Sequence, residues 1–289
     1  MQKGSRKRAI VKRQSQKRPG LESKMEPHPV FTDHAQAGKR LLNKKCVITG
    51  GDSGIGRAVA VAFAREGADV AIIYLRQEEA DARFTASVIK QDFGKSCLLV
   101  PSDISRENKC AAAIHRVMEF FTRVDVLVNN AAVQYPEKDI TKLSNKHLQE
   151  TFSVNLFAMF WIVKAAMPYM KKGACIINTS SVTAYRGSPA LLDYSASKGA
   201  IVSFTRSLSA NLVHKGIRVN AVAPGPVWTP LIVSSLEPKK VSAFGINSPM
   251  GRPAQPAELA PAYVFLASED ASYMSGQVIH VNGGEIVNG

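Results

Sequence analysis

Cys46-Val-Ile-Thr49-Gly-Gly-Asp-Ser-Gly-Ile-Gly56 is followed by an alanine-rich segment that runs to Arg65. Its first four residues form an apolar run of strand length, and Ile55, Val59, Ala62 and Phe63 recur at helical spacing. The glycines therefore join a buried strand to a helix. At such a junction Gly50, Gly54 and Gly56 can supply a tight turn, a close backbone approach to a ligand and close helix packing. The opening turn of a helix has unpaired N–H groups and suits an anion such as a pyrophosphate. The spacing is TGxxxGxG rather than GxGxxG.

The same alternation continues toward the C-terminus. Apolar runs at 70–74, 96–100, 124–128, 174–178, 217–222 and about 277–281 alternate with helical stretches near 78–91, 106–121, 145–170, 194–213 and 257–267. Strands that are apolar throughout, each followed by an amphipathic helix, predict a parallel sheet covered on both faces. The expected fold is α/β, a doubly wound, Rossmann-type seven-stranded sheet in one catalytic domain spanning 41–289. No room remains for a separate substrate domain. Residues 228–256 contain Pro230, Pro238, Gly245, Pro249 and Gly251, and read as a late insertion that serves as a substrate lid.

The chain has 289 residues, 45% of them hydrophobic and 21% charged, with a net charge of +14. That apolar share excludes peptide-hormone, disulfide-knot and wholly disordered classes. Residues 1–40 hold eleven Lys and Arg against three Asp and Glu, a net of +8, so only +6 belongs to the remaining 249 residues. This basic, proline-containing segment is expected to be a mobile or surface-draped arm, because it has too little apolar area to order itself as a separate core. Its clusters Arg6-Lys-Arg8, Lys12-Arg13 and Lys17-Arg18 could neutralise phosphates, which makes nucleic-acid or polyanion binding the second functional class. No aromatic residue in 1–24 offers a stacking platform and no reader motif is present, so that class is disfavoured.

Cys46, Cys97, Cys110 and Cys175 are scattered without CxxC spacing and read as small core hydrophobes in a reducing cytoplasm. The six histidines show no paired spacing, so no metal site is expected. The first forty residues lack the apolar stretch of a secretory signal, and no eighteen apolar residues run together. A soluble cytoplasmic protein without a membrane partner is expected.

Asp193-Tyr194-Ser-Ala-Ser-Lys198 places a phenol and an ammonium four residues apart, on one face of a helix. A nearby positive charge favours phenolate, so Lys198 is expected to bring Tyr194 toward a working pKa for proton exchange with an alcohol or carbonyl. Thirteen residues before the tyrosine, Ser181 stands at the carboxyl end of the strand Ile176-Ile-Asn-Thr179. There its hydroxyl can hold a substrate oxygen. YxxxK alone is common; with the glycine loop and Ser181 it converges on one crevice. Tyr74-Leu75-Arg76 ends the second strand without a carboxylate for an adenosine ribose. Arg76 lies twenty residues after Gly56, where it can pair with a 2′-phosphate, so NADP is favoured and NAD remains the alternative. Glu78 and Glu79 are the competing carboxylates.

From Leu41 to about Gly284 the chain resembles the classical short-chain dehydrogenase/reductase family. The resemblance is carried by Thr49-Gly50-xxx-Gly54-Ile55-Gly56, Asn129-Asn130-Ala131, Asn155, Ser181, Tyr194, Lys198 and Pro224-Gly225. It implies that Tyr194 is the general acid/base, that Ser181 positions the carbonyl or hydroxyl, and that Lys198 lowers the tyrosine pKa and binds the nicotinamide ribose. Asn155 would hold a water in a proton relay to the lysine. Cofactor contacts are implied for Gly50, Ser53, Gly54, Ile55 and Gly56 in the loop and for Asp103 and Ile104 at the adenine. Asn130 would lie along the cofactor, Val227 and Thr229 at the carboxamide, and Arg76 is added by the reading above.

The family's Asn-Asn-Ala-Gly reads Asn129-Asn-Ala-Ala132 here, a departure that removes no chemical group. Gly51-Asp52-Ser53, Pro226-Val-Trp228-Thr-Pro230 and Arg18-Pro-Gly-Leu-Glu-Ser23 resemble a bacterial glucose or ribitol dehydrogenase-like branch. The implied reaction is hydride transfer between the nicotinamide and a carbonyl or alcohol such as an aldehyde, sugar or polyol. The implied assembly is a homotetramer, with the helix from Asn145 and the helix carrying Tyr194 at a dimer interface. Apolar lid residues such as Trp228, Leu231 and Phe244 would suit an aldehyde or a partly apolar alcohol. A third class, an interaction protein with a vestigial site, is disfavoured by the complete tetrad.

Overall fold

Seven strands, β1 (Lys45–Thr49), β2 (Asp69–Tyr74), β3 (Cys97–Pro101), β4 (Val126–Asn129), β5 (Cys175–Thr179), β6 (Arg218–Pro224) and β7 (Val278–Val281), form one sheet in the order β3-β2-β1-β4-β5-β6-β7. Every pairing is parallel. The structure is a computed structural model that describes residues 13–32 and 38–287. The central strands are buried on both faces, while the edge strands β3 and β7 are partly exposed.

The helices are α1 (Gly54–Arg65), α2 (Glu79–Phe93), α3 (Glu107–Met118), α4 (Asn145–Phe152), α5 (Ala158–Ala166), α6 (Thr183–Arg186), α7 (Leu192–Leu212), α8 (Pro230–Ser235), α9 (Pro238–Val241) and α10 (Pro256–Ala267). The two-residue period of each strand divides the core between the two faces. Cys46, Ile48, Val126, Val128 and Ile177 pack with Phe63 of α1 and Val264 of α10. Their neighbours Val47, Leu127 and Ile176 pack on the other face with Ile114 of α3 and Ile162 of α5. Cys46 and Cys175 fill the first cluster and Cys110 the second; all four cysteines are free thiols. Among the described residues no group of His, Cys, Asp or Glu could hold a metal ion.

The chain reverses its direction of travel across the sheet between β1 and β4. In doubly wound sheets this switch point opens a crevice at the carboxyl ends of the strands. The stretch expected as one helix from Asn145 is broken: α4 gives way to a π-helical turn, Ser153–Phe157, before α5 begins. By length and composition Asn145–Tyr169 is apolar enough to cross a bilayer; here it packs against α3 and α7.

The described part of the basic arm lies against the body. Met25 is fully buried in a cluster with Trp228, Val233 and Val241 of the 228–256 segment. Trp228 Nε1 donates to the Pro27 carbonyl at 2.8 Å, and Gln16 N to the Val233 carbonyl at 3.2 Å. The clusters at Arg6-Lys-Arg8 and Lys12 lie outside the described residues.

Candidate active site and cofactor cleft

A cavity of about 740 Å³ lies at the switch point. Its floor is the glycine loop. Gly50 and Gly54 take φ values of +65° and +52°, which favour glycine. A Cβ on Gly56 would sit 1.8 Å from the Gly50 carbonyl oxygen, and one on Gly54 would sit 3.1 Å from Thr229 Cγ2. Asn130 clamps the loop to the sheet: its backbone N–H donates to Thr49 Oγ1 at 2.9 Å and its Nδ2 to the Thr49 carbonyl at 3.2 Å. Gly54 N–H donates to Glu22 Oε2 at 2.5 Å. The N–H groups of Ile55 and Gly56, in the first turn of α1, have no acceptor within the helix and suit a phosphate. Ser53 and Ile55 line the cavity beside them.

The far end of the cleft differs from expectation. Arg76 sits in an exposed 3-10 turn, Arg76–Glu78, and is not part of the cavity wall. That turn directs Glu78 inward instead, where its Oε2 accepts from Leu75 N at 3.0 Å. Asp52 also faces the cavity, and its Oδ2 is buried without a hydrogen-bond partner. Burial holds both carboxyls above the usual carboxylate range, and at Glu78 the Asp52 charge adds to it. Asp103 and Ile104 line the same end, as expected. A floor that only glycine fits, free helix N–H groups and an orphaned Asp52 oxygen able to accept from a ribose hydroxyl together fit a nicotinamide dinucleotide.

The other end holds Ser181, Tyr194 and Lys198. Ser181 leaves the end of β5; its Oγ accepts from Thr183 N at 3.2 Å and from Thr183 Oγ1 at 3.1 Å. Asp193 fixes the start of α7, accepting from Tyr194 N at 2.8 Å and from Thr151 Oγ1 of α4 at 2.6 Å. Burial pushes the Tyr194 hydroxyl up to about 12, against which a hydrogen bond with Ser181 acts. Lys198 is buried, its Nζ donates to the Thr179 carbonyl at 2.8 Å and lies 5.4 Å from the centre of the Tyr194 ring. Burial draws its ammonium down to about 7. Ser181 thus acts directly on the Tyr194 hydroxyl, while the Lys198 ammonium stands beside the ring.

Asn155 sits in the π-helical turn and is fully buried. Its Oδ1 accepts from Val133 N at 2.8 Å, and its Nδ2 donates to the Val133 carbonyl at 3.0 Å and to Ser197 Oγ at 3.1 Å. It ties the loop after β4 to α7. Val227 and Thr229 line the cavity where α8 begins. The sequence reading passed over several wall residues: Arg18, Pro19 and Gly20 of the arm, Tyr135 after β4, and Glu150 of α4. The glycine after Pro19 is a signal of close backbone approach there.

Residues 50–285 match a family model described as enoyl-(acyl carrier protein) reductase. The chain is 52% identical over 273 residues to the uncharacterized oxidoreductase YhdF of Bacillus subtilis, covering 94% of each protein. It is 47% identical over 286 residues to NADPH-dependent aldehyde reductase 1, chloroplastic, of Arabidopsis thaliana, covering 97% of this chain and 99% of that one. The crystal structure of L-sorbose reductase from Gluconobacter frateurii, complexed with NADPH and L-sorbose, superposes with a TM-score of 0.78 at 30% identity. It covers 86% of this chain and 98% of that one.

Proposed function

Since the chain belongs to the short-chain dehydrogenase/reductase family and is an oxidoreductase that moves a hydride between a nicotinamide cofactor and a carbonyl or alcohol, we propose that it reduces aldehydes with NADPH and oxidises alcohols, sugars or polyols in the reverse direction. The observation that carries this reading is the meeting of Tyr194, Ser181 and Lys198 in one cavity with the glycine loop. NADPH is favoured by the aldehyde reductase and the L-sorbose reductase, and no longer by Arg76. NADH is the second cofactor.

The nicotinamide supplies or accepts the hydride when bound. Tyr194, kept protonated at neutral pH by burial, gives its hydroxyl proton to the substrate oxygen during reduction. Ser181 Oγ already accepts from Thr183, so its own hydrogen is available to hold that oxygen. Lys198, steadied by the Thr179 carbonyl, stabilises the tyrosinate left behind when it carries its proton, and it meets the nicotinamide ribose. Asn155 keeps the Val133 loop and α7 in register and completes the proton relay to Lys198. Gly50, Ser53, Gly54, Ile55 and Gly56 would hold the pyrophosphate, Asn130 would lie along the dinucleotide, Val227 and Thr229 would meet the carboxamide, and Asp103 and Ile104 would flank the adenine.

The same reading places the protein in the cytoplasm, where its four free thiols stay reduced, as a homotetramer. Exposed Phe157 and Phe160 on and beside α5, with Phe160 4.1 Å from Phe204 of α7, give the dimer face an apolar surface. The test is a spectrophotometric screen of NADPH and NADH oxidation against aldehydes, ketones and quinones, with sugars and polyols assayed for cofactor reduction. Turnover in at least one class is expected; failure in all of them would remove the substrate assignment.

A further inference from the structure

The arm crosses the cleft as a strap with two anchors. At one, Met25 is buried among Trp228, Val233 and Val241. At the other, the Glu22 carboxylate accepts from Gly54 N and from the Arg57 guanidinium, while the N–H groups of Glu22 and Ser23 donate to the Asp81 carboxylate at 2.8 Å and 3.3 Å. Just before the second anchor the strap touches α8, where a Cβ on Gly20 would lie 2.6 Å from the Pro230 carbonyl oxygen.

The anchors hold Arg18 on the cavity wall, with its guanidinium carbon 4.1 Å from the centre of the Tyr135 ring. This is the catalytic end of the cleft. Tyr135 lies two residues beyond Val133, the residue gripped by Asn155. Helix α4 fixes its ring: Tyr135 stacks on His147 at 4.1 Å, and its hydroxyl donates to Glu150. Among the described residues no carboxylate pairs with Arg18. The other guanidinium on the wall, Arg186, is already paired with Glu285 at 2.7 Å. Leu191, Leu231 and Ile232 line the same cavity, at whose exposed edge Arg18 stands. A guanidinium held by an aromatic face, with its donor fork uncommitted, matches the geometry of a carboxylate or a phosphate.

We propose that the strap is a wall of the substrate site and that Arg18 determines specificity by pairing with a carboxylate or phosphate on the carbonyl substrate. The proposal rests on the hydride-transfer reading above. It turns the arm from a separate basic tail into part of the enzyme's substrate recognition.

The test uses the full chain with NADPH and two matched pairs of substrates, succinic semialdehyde against butanal and glyceraldehyde 3-phosphate against glyceraldehyde. In the wild type the anionic member of at least one pair is expected to have the higher kcat/KM. Arg18→Gln is expected to lower the anionic-to-neutral ratio of kcat/KM about 10- to 100-fold, mostly through KM, with part restored in Arg18→Lys. An unchanged ratio overturns the proposal. So does a rise in the KM for NADPH that is equal with every substrate, since Arg18 would then serve the cofactor's phosphates. Turnover of butanal or glyceraldehyde leaves the hydride-transfer reading standing whichever way the ratio moves. Absence of turnover with every aldehyde overturns both.

Discussion

Replacing Glu22 with glutamine should make the protein less sensitive to alkaline pH. Three buried carboxylates, Glu22, Asp52 and Asp81, surround the single buried guanidinium of Arg57. One cation cannot compensate three desolvated anions, and burial accordingly raises the Glu22 pKa from 4.5 to about 7. The sign follows from proton linkage. A carboxyl whose pKa is raised on folding contributes its full stability below the unfolded value of 4.5 and loses it as the pH rises through about 7. At about 1.4 kcal/mol per pH unit, ionising wild-type Glu22 costs roughly 3 kcal/mol by pH 8. Glu22 is only 2% exposed, so solvent screening removes little of this. Glutamine keeps an oxygen for Gly54 N–H and Arg57 but never ionises. Thermal melts of wild type and Glu22→Gln at pH 5, 6, 7 and 8 should show the difference in Tm moving toward the variant by roughly 4–6 °C across that range. A difference that moves toward the wild type as the pH rises would mean that the Glu22–Arg57 charge pair outweighs desolvation, and would refute the reasoning.

Three further outcomes are expected. Glu78→Gln should raise the kcat/KM ratio of NADPH over NADH several-fold, most at alkaline pH where wild-type Glu78 is ionised, while Arg76→Ala should leave that ratio within about two-fold. Met25→Ala opens a cavity between strap and lid and should lower stability by about 2–5 kcal/mol in urea unfolding. Gly56→Ala places a methyl 1.8 Å from the Gly50 carbonyl oxygen, so NADPH affinity, followed by fluorescence titration, should fall at least about 10-fold.

Strands such as Val70–Tyr74 could be read from the chain because a sheet covered on both faces demands unbroken apolar runs, and each helix showed its own period. Ser181, Tyr194 and Lys198 could be read because they follow a strand end or share a helix face, both local properties. What local pattern does not encode was missed. The π-helical turn that seats Asn155 interrupts an otherwise good helical period, and no residue type marks it. Arg76 looked well placed by counting from Gly56, but the 3-10 turn after β2 exchanges it for Glu78. Glu22 and Met25 looked isolated in a polar tail because their partners, Arg57 and Trp228, are 35 and 203 positions away in the chain. Burial there depends on tertiary placement, and composition is blind to it.

The claim on which the rest depends is that Tyr194 delivers the proton. It is tested most directly by the single-turnover rate of NADPH oxidation in Tyr194→Phe, with cofactor and aldehyde both saturating and NADPH binding measured on the same preparation. The expected result is a fall of about 100- to 10,000-fold in rate, with the dissociation constant for NADPH kept within about two-fold. Turnover equal to that of the wild type under the same conditions would contradict it.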